Sequence, residues 1–144
     1  MNKVTRRTTA SPAQAWSVLA DGWLYGSWVV GSSRIRDVDA DWPQAGTRIH
    51  HSVGLWPALL DDQTVSLESK TGLLELSAAA WPFGKARIRL TVEQDDDGTL
   101  ITMEEFVETA PLRWIPPIFQ QVAMTPRLNE CLRRLTLLAE RHAD

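Results

Sequence analysis

The stretch "KARIRLTVE", residues 85–93, alternates apolar and polar side chains without interruption. Every second residue of an extended chain points to the same side, so one face of this stretch carries only Ala86, Ile88, Leu90 and Val92. Such alternation is typical of an antiparallel strand with one solvated face and one covered face. The stretch therefore predicts a sheet that another element of the chain must cover.

The period-two pattern extends from about residue 32 to 108 and is broken by short turn sequences, which predicts about six strands. Within it, "LLELSAAA" (73–80) places Leu74, Leu76, Ala78 and Ala80 on one face. In "TVSLE" (64–68) the corresponding apolar pair is Val65 and Leu67. Residues 2–9, rich in threonine, predict one more strand at an edge of the sheet.

A helix is predicted to begin in "SPAQAWSVLAD" (11–21), because Ser11 and Gln14 form a capping box around Pro12 at the first helical position. Its apolar stripe contains Ala15, Trp16, Leu19 and Ala20. The following "DGWLYGSW" (21–28) stops this helix and begins a second short helix or turn.

The cover of the sheet is predicted in the C-terminal segment, from about residue 115 to 142. At helical spacing this segment carries one apolar stripe, formed by Leu128, Leu132, Leu135, Leu138 and Ala139. Pro126 leaves two alternatives open. Either Thr125 caps a new helix with Pro126 at its first position, or a longer helix that starts near Pro117 kinks at Pro126.

The composition indicates one soluble domain over residues 1–144, with 44% hydrophobic and 23% charged residues. A net charge of −3 without a basic stripe argues against a nucleic-acid partner. One cysteine and three histidines predict neither a disulfide nor a metal site. The polar N-terminus and the lack of an apolar run of roughly 20 residues argue against stable membrane insertion and favour a cytoplasmic protein.

The order and spacing of these segments resemble the START-like (SRPBCC) superfamily of helix-grip proteins. This superfamily includes Bet v 1, lipid-transfer proteins and polyketide cyclase/dehydrase-like proteins, among them small actinobacterial members. The resemblance covers nearly the whole chain and is carried by "SPAQAWSVLAD", "WVVGSSRIRDVD" (28–39), "WPQAGTRIHHSVG" (42–54), "DGTLITMEE" (97–105) and "RLNECLRRL" (127–135).

The resemblance implies an α+β helix-grip fold. In it, a curved antiparallel sheet of about seven strands wraps around a long C-terminal helix, and two short helices follow the first strand. It also implies a cavity between sheet and helix for hydrophobic or amphipathic ligands. Alanines 78–80 are consistent with such a cavity because they leave room on the inner face.

Two adjacent histidines in "TRIHHSVG" (47–54) must point to opposite faces of a strand. His51 shares the inward face with Ile49 and Val53, whereas Arg48, His50 and Ser52 face water. Because the unperturbed pKa of histidine is about 6.5, His51 is the residue best suited to acid/base catalysis in the interior. A half-buried histidine with a purely structural hydrogen bond is the alternative interpretation.

Glu105 in "LITMEEFVE" (100–108) is the second polar candidate, and its strand register is open. If Ile101 and Met103 point inward, Glu105 does too; a register through Leu100 and Phe106 reverses this. We favour the inward register. An inward carboxylate needs a partner, for which His51 and Arg127 are the candidates.

The predicted ligand-binding residues line the inner face of the sheet, the terminal helix or the loops at the rim: Trp28, Ile49, His51, Val53, Trp56, Leu76, Ala78, Trp81, Ile88, Leu90, Met103 and Arg127. Trp56 and Trp81 each precede a proline and Trp28 lies two residues after Gly26; these tryptophans either touch a flat ligand or anchor loops on the core. For Trp28 we favour the core.

Three functions follow as expectations. The first is binding or transport of a small hydrophobic ligand such as a lipid, fatty acid, isoprenoid or polyketide-like aromatic. The second is a cofactor-independent polyketide cyclase/dehydratase that uses His51 and Glu105 as acid/base residues. The third is a co-chaperone-like module that binds a partner through its surface and has a small, dry interior. The edge strand 2–9 also makes a homodimer a candidate assembly.

Overall fold

The structure, a computed structural model, describes residues 2–30, 32–53, 60–79, 85–108, 114 and 116–141. The strands in these ranges are β1 (Asn2–Thr8), β2 (Ser32–Val38), β3 (Arg48–Val53), β4 (Leu60–Lys70), β5 (Leu73–Ala79), β6 (Lys85–Asp95) and β7 (Gly98–Val107). The helices are α1 (Pro12–Ala20), α2 (Tyr25–Trp28) and α3 (Pro117–Arg141), with one turn of 3-10 helix at Gly22–Leu24. Within these ranges no helix is long and apolar enough to cross a membrane.

The strands form one antiparallel sheet in the order β1-β7-β6-β5-β4-β3-β2, so that β1 and β2 are its edges. Register shifts in the β2–β3 and β4–β5 pairs are bulges, which bend a sheet. Helix α3 packs along β1 and β7 and also contacts α1 and α2. The predicted helix-grip fold, with its edge strand and its two short helices after β1, is thereby confirmed.

Helix α1 begins as its sequence predicts. The Ser11 hydroxyl accepts a hydrogen bond from the Gln14 N–H at 3.1 Å, and the Gln14 side chain accepts one from the Ser11 N–H at 2.7 Å. The buried side of α1 differs in part from the predicted apolar stripe. Ala15, Val18 and Leu19 are buried, whereas Trp16 and Ala20 are only partly buried. Sequence spacing alone did not show which side of α1 faces α3.

Helix α3 is continuous through Pro126, so the longer of the two predicted alternatives is correct. Proline lacks the N–H that would bond to the carbonyl four residues earlier. That carbonyl belongs to Val122, whose side chain is exposed, so water can hydrate this turn. The stripe facing the sheet consists of Leu128, Leu132, Leu135 and Ala139 as predicted, joined by Cys131 and Thr136, while Leu138 is partly buried.

On β4 the predicted inner face is wrong. Thr64 and Ser66 are buried, whereas Leu67 is 42% exposed and Val65 lies on the same outer side. The β3–β4 register explains this, because Ile49 lies directly opposite Thr64 and opposed residues share a face. Both inward hydroxyls have partners, and that of Ser66 donates to the Pro43 carbonyl at 2.7 Å.

Candidate functional site

His51 lies on the inner face of β3 beside Ile49, as predicted, and is 3% exposed. His50 points to the other face, where its Nε2 is 3.3 Å from the Asp39 carboxylate. Ser52, predicted to face water, is instead buried, opposite Arg34 on β2 and Asp61 on β4. The two adjacent histidines thus have separate environments, and His51 alone of the two reaches the core.

A chain of hydrogen bonds joins His51 to α2. Its Nε2 lies 2.8 Å from the Thr64 hydroxyl, which in turn donates to the Tyr25 hydroxyl oxygen at 3.2 Å. The Tyr25 and His51 rings are tilted against each other with centroids 5.5 Å apart. All three residues are buried. They form a polar network inside an otherwise apolar core.

The tautomer of His51 decides which ring nitrogen donates. If the Thr64 hydroxyl gives its single proton to Tyr25, it accepts from Nε2–H of His51, and Nδ1 of the neutral imidazole is then an acceptor. Nδ1 is buried and has no hydrogen-bond partner of good geometry in the part of the chain that the structure describes. This ring nitrogen in the core can therefore pair with a group from outside the chain.

Burial sets the protonation of the network. It lowers the pKa of His51 below 6.5, and the Asp62 carboxylate and the Ser52 backbone offset this effect only in part. Burial also raises the pKa of Tyr25 to about 12, so its hydroxyl stays protonated. Around neutral pH the network consequently offers a neutral imidazole acceptor and a hydroxyl donor.

Glu105 lies on the inner face of β7, so the favoured register is the one observed, with Ile101 and Met103 also buried. Its Oε2 accepts from Nη1 of Arg127 on α3 at 3.1 Å. The Glu105 side chain is 2% exposed and that of Arg127 is 31% exposed. Burial raises the pKa of the Glu105 carboxyl, and the charge and hydrogen bond of Arg127 oppose this shift. Of the two candidate partners, Arg127 is the one that Glu105 contacts.

Helix α3 also holds α2 in place. The Val30 carbonyl accepts from Nε of Arg127 at 3.2 Å, and the Val30 N–H donates to Sγ of Cys131 at 3.4 Å. Tyr25 at the start of α2 experiences the charges of both Arg127 and Glu105. Tyr25 therefore takes part in the His51–Thr64 hydrogen bonds and lies within the electrostatic influence of the Glu105–Arg127 ion pair.

The remaining predicted ligand-binding residues fall into two groups. Those buried in the core, with side chains on the inner face of the sheet or on α2, are Trp28, Ile49, Leu76, Ala78, Ile88, Leu90 and Met103. Trp28 packs edge-on against Tyr25 with centroids 5.4 Å apart, which agrees with a core position. Trp56, Trp81 and the side chain of Val53 lie outside the described residues.

The other two members of the hydrogen-bond network are residues that sequence reasoning missed. The neighbours of Thr64 on β4 are more apolar, so the alternation predicted the opposite face of the strand as the buried one. Only the β3–β4 register shows that Thr64 points inward. Tyr25 is the single tyrosine of the chain and lies in a four-residue helix whose orientation the sequence does not specify. Asn2 on β1 is also buried and was not a candidate.

An open cleft on the outside of the molecule is separate from this network. It has a volume of about 440 Å³ and lies between α1 and the residues that follow β2, with Asp21, Trp23, Asp39 and Trp42 among those that line it. None of the predicted site residues borders it. We therefore take the buried network, rather than this cleft, as the candidate site.

Known proteins share this fold. A START superfamily protein from Mycobacterium smegmatis is 17% identical, with a TM-score of 0.72 and 96% of each chain covered. Ara h 8.0201 is 12% identical, with a TM-score of 0.68, and the match covers 96% of this chain and 97% of that one. The two-domain aromatase/cyclase StfQ of the steffimycin biosynthetic pathway is 7% identical, with a TM-score of 0.71, and the match covers 96% of this chain and 49% of that one. None of the curated protein sequences matches the chain.

A family model described as "Polyketide cyclase / dehydrase and lipid transport" matches residues 2–140, nearly the whole length. That match agrees with the seven-stranded sheet, the two short helices after β1 and the long helix α3. The chain therefore belongs to the polyketide cyclase/dehydrase and lipid transport family.

Proposed function

We propose that the protein binds a small hydrophobic molecule, such as a lipid, fatty acid, isoprenoid or polyketide-like aromatic, between the inner face of the sheet and α3. The observation that carries this proposal is the buried Nδ1 of His51, which has no hydrogen-bond partner of good geometry among the described residues. An unpaired polar atom in a protein interior costs about 1–3 kcal/mol. A ligand hydroxyl that pairs with Nδ1 would recover this cost.

The surroundings of the network support an apolar ligand. The inner faces of β5, β6 and β7 are aliphatic there, and Ala78 lies directly opposite Ala86 across the β5–β6 pair. Two small side chains side by side keep this part of the inner face shallow. An apolar body packed there and one polar group at His51 or Tyr25 is the usual design of a small-molecule site.

The direct test is the stabilisation of the purified protein by a panel of fatty acids, flavonoids and polyketide-like aromatics. A ligand that binds only the folded state at a concentration a hundred times its Kd stabilises it by about 2.7 kcal/mol. We expect at least one class to raise the Tm, with the rise depending on concentration. If no compound of the panel raises the Tm, the proposal is wrong and a packed core with a partner-binding surface becomes the better account.

A second candidate function is a cyclase or dehydratase, and the buried titratable groups favour it. His51 has a lowered pKa and Glu105 a raised one within one interior, a pattern common at acid/base sites. Because Glu105 already forms an ion pair with Arg127, we place ligand binding ahead of catalysis as the function. Turnover of a polyketide-like aromatic that His51→Ala abolishes, with ligand affinity retained, would establish catalysis. Loss of affinity and turnover together would identify His51 as an anchor.

A further inference from the structure

Asn2 on β1 is a buried polar residue that the fold does not explain. It is 2% exposed, yet neither its Oδ1 nor its Nδ2 has a hydrogen-bond partner within the described ranges. Thr8, the other buried polar residue of β1, donates to the Glu140 carboxylate at 2.8 Å and accepts from the Ala10 N–H at 3.2 Å. The strand therefore satisfies one of its buried polar side chains completely and leaves the other without partners.

The position of Asn2 places it beside the ion pair. In the β1–β7 register Asn2 lies directly opposite Glu105, and the next inward pair is Val4 opposite Met103. Directly opposed residues share a face, with Cβ atoms about 4.5–5.5 Å apart. The unpaired carboxamide and the buried carboxylate are thus neighbours on the inner face of the sheet.

We propose that Asn2 and Glu105 form a second polar subsite, which binds an uncharged hydroxyl group of the ligand. This inference rests on the proposed binding function and narrows its ligand class. A carboxamide offers one acceptor and donors, and the carboxylate of Glu105 offers acceptors. A hydroxyl, which donates once and accepts twice, complements both residues.

Charge disfavours a carboxylate in this subsite. A ligand carboxylate beside Asn2 would lie against the Glu105 carboxylate, whose partner Arg127 is already engaged in the ion pair. This like-charge contact is unfavourable, and more so in a poorly solvated interior. The subsite therefore selects alcohols and phenols over fatty acids of the same size.

A binding role for Asn2 predicts opposite effects on stability and on affinity. Replacing a buried amide that has no partner by an apolar side chain removes its desolvation cost, so Asn2→Leu should raise the Tm of the ligand-free protein. The same change should weaken the binding of an alcohol about tenfold, because a hydrogen-bonding partner is lost. A purely structural asparagine would lower the Tm when replaced and leave the affinity unchanged.

The test uses the full chain with any tag at its C-terminus and two matched probe series. One series is decanol, decanoate and decane, and the other is naphthol, naphthoate and naphthalene. Wild type should bind the alcohol or phenol of at least one series about tenfold more tightly than the carboxylate. Asn2→Leu, or Asn2→Val as a second variant, should weaken the binding of the alcohol or phenol about tenfold and leave carboxylate and hydrocarbon binding unchanged.

The control is Thr99→Val on β7, where a buried hydroxyl that donates to the Ala10 carbonyl at 2.7 Å is lost. This variant should lower the Tm without changing the alcohol preference. If wild type binds the probes but does not prefer the hydroxyl compounds, or if the Asn2 variants bind the hydroxyl compounds as tightly as wild type, the subsite is wrong and the binding function stands. If wild type binds no probe of either series, the binding function itself is contradicted and the subsite falls with it.

Discussion

Nη1 of Arg127 on the terminal helix lies 3.1 Å from Oε2 of Glu105 on β7, and the carboxylate is almost completely buried. The pair links the helix to the sheet that it covers, inside a largely apolar core. Two opposite charges in a core stabilise the fold little as a pair, but each is costly without the other. Arg127 and Glu105 should therefore respond very differently to single and double replacement.

Arg127→Met should lower the free energy of unfolding by about 2 kcal/mol, less than the ~3–5 kcal/mol typical of fully buried pairs. The effect should be smaller than for a fully buried pair because Arg127 is partly exposed, so water can reach the Glu105 carboxylate once the guanidinium is removed. Arg127→Met combined with Glu105→Gln should recover most of the loss. Urea denaturation of the two single variants and the double variant measures this coupling. A double variant no more stable than Arg127→Met would contradict the account.

His51→Ala should weaken ligand binding by about threefold to tenfold, the range expected for one lost hydrogen bond. His50→Ala is the matched control, because the adjacent ring lies on the opposite face beside Asp39. Affinity for any ligand found in the panel, measured by calorimetric titration, separates the two variants. Equal effects of both substitutions would show that His51 does not contact the ligand.

Ala78→Trp should block the space over the inner face of β5 and abolish ligand uptake. Ala78 is buried there, whereas Ser77 points to the other side of the sheet and provides Ser77→Trp as control. If the space is open, the indole fits; in a packed core it would cost about 1–3 kcal/mol or more through overpacking. Unchanged uptake, or a loss of stability with no change in uptake, would refute a pocket at this place.

Acidification should destabilise the protein through His51. Its pKa is below 6.5 in the folded state, so between that lower value and 6.5 the unfolded chain binds more protons and stability rises with pH. The contribution is present above pH 6.5 and is lost as the pH falls through this window. From pH 7 to about pH 5, wild type should lose more stability than His51→Gln.

Glu105 acts in the opposite direction, which makes the comparison with His51→Gln necessary. Its pKa is raised in the folded state, so its contribution is present at low pH and is lost as the pH rises above 4.5 through the folded value. Both proteins contain Glu105, and the difference between their pH profiles isolates His51. Identical profiles would mean that His51 titrates normally and is not held neutral in the core.

Local patterns predicted the parts of the fold that repeat with a regular period. The alternation in 85–93, the capping box at Ser11 and the leucine stripe of α3 each depend on neighbours in sequence, and each is present as predicted. The alternation within β7 likewise supported Glu105 as an inward residue. The pairing of Glu105 with Arg127 rather than with His51 depends on how α3 lies across the sheet, which the sequence left open.

The interior network was harder to predict because its members meet through register and through a short helix. Val65 and Leu67 are more apolar than Thr64 and Ser66, so the alternation in β4 favoured the wrong face. Only the pairing of Ile49 with Thr64 reverses it. Tyr25 reaches Thr64 from a helix of four residues, too short for any periodic signal.

The most direct test of the binding account is native mass spectrometry of the gently purified protein, followed by denaturing extraction and identification of what co-purifies. The account predicts a discrete complex between the chain and one apolar small molecule that carries a polar group. His51→Ala should retain less of this molecule than His50→Ala. A clean ligand-free mass, with no complex formed on addition of fatty acids, flavonoids or polyketide-like aromatics, would contradict it.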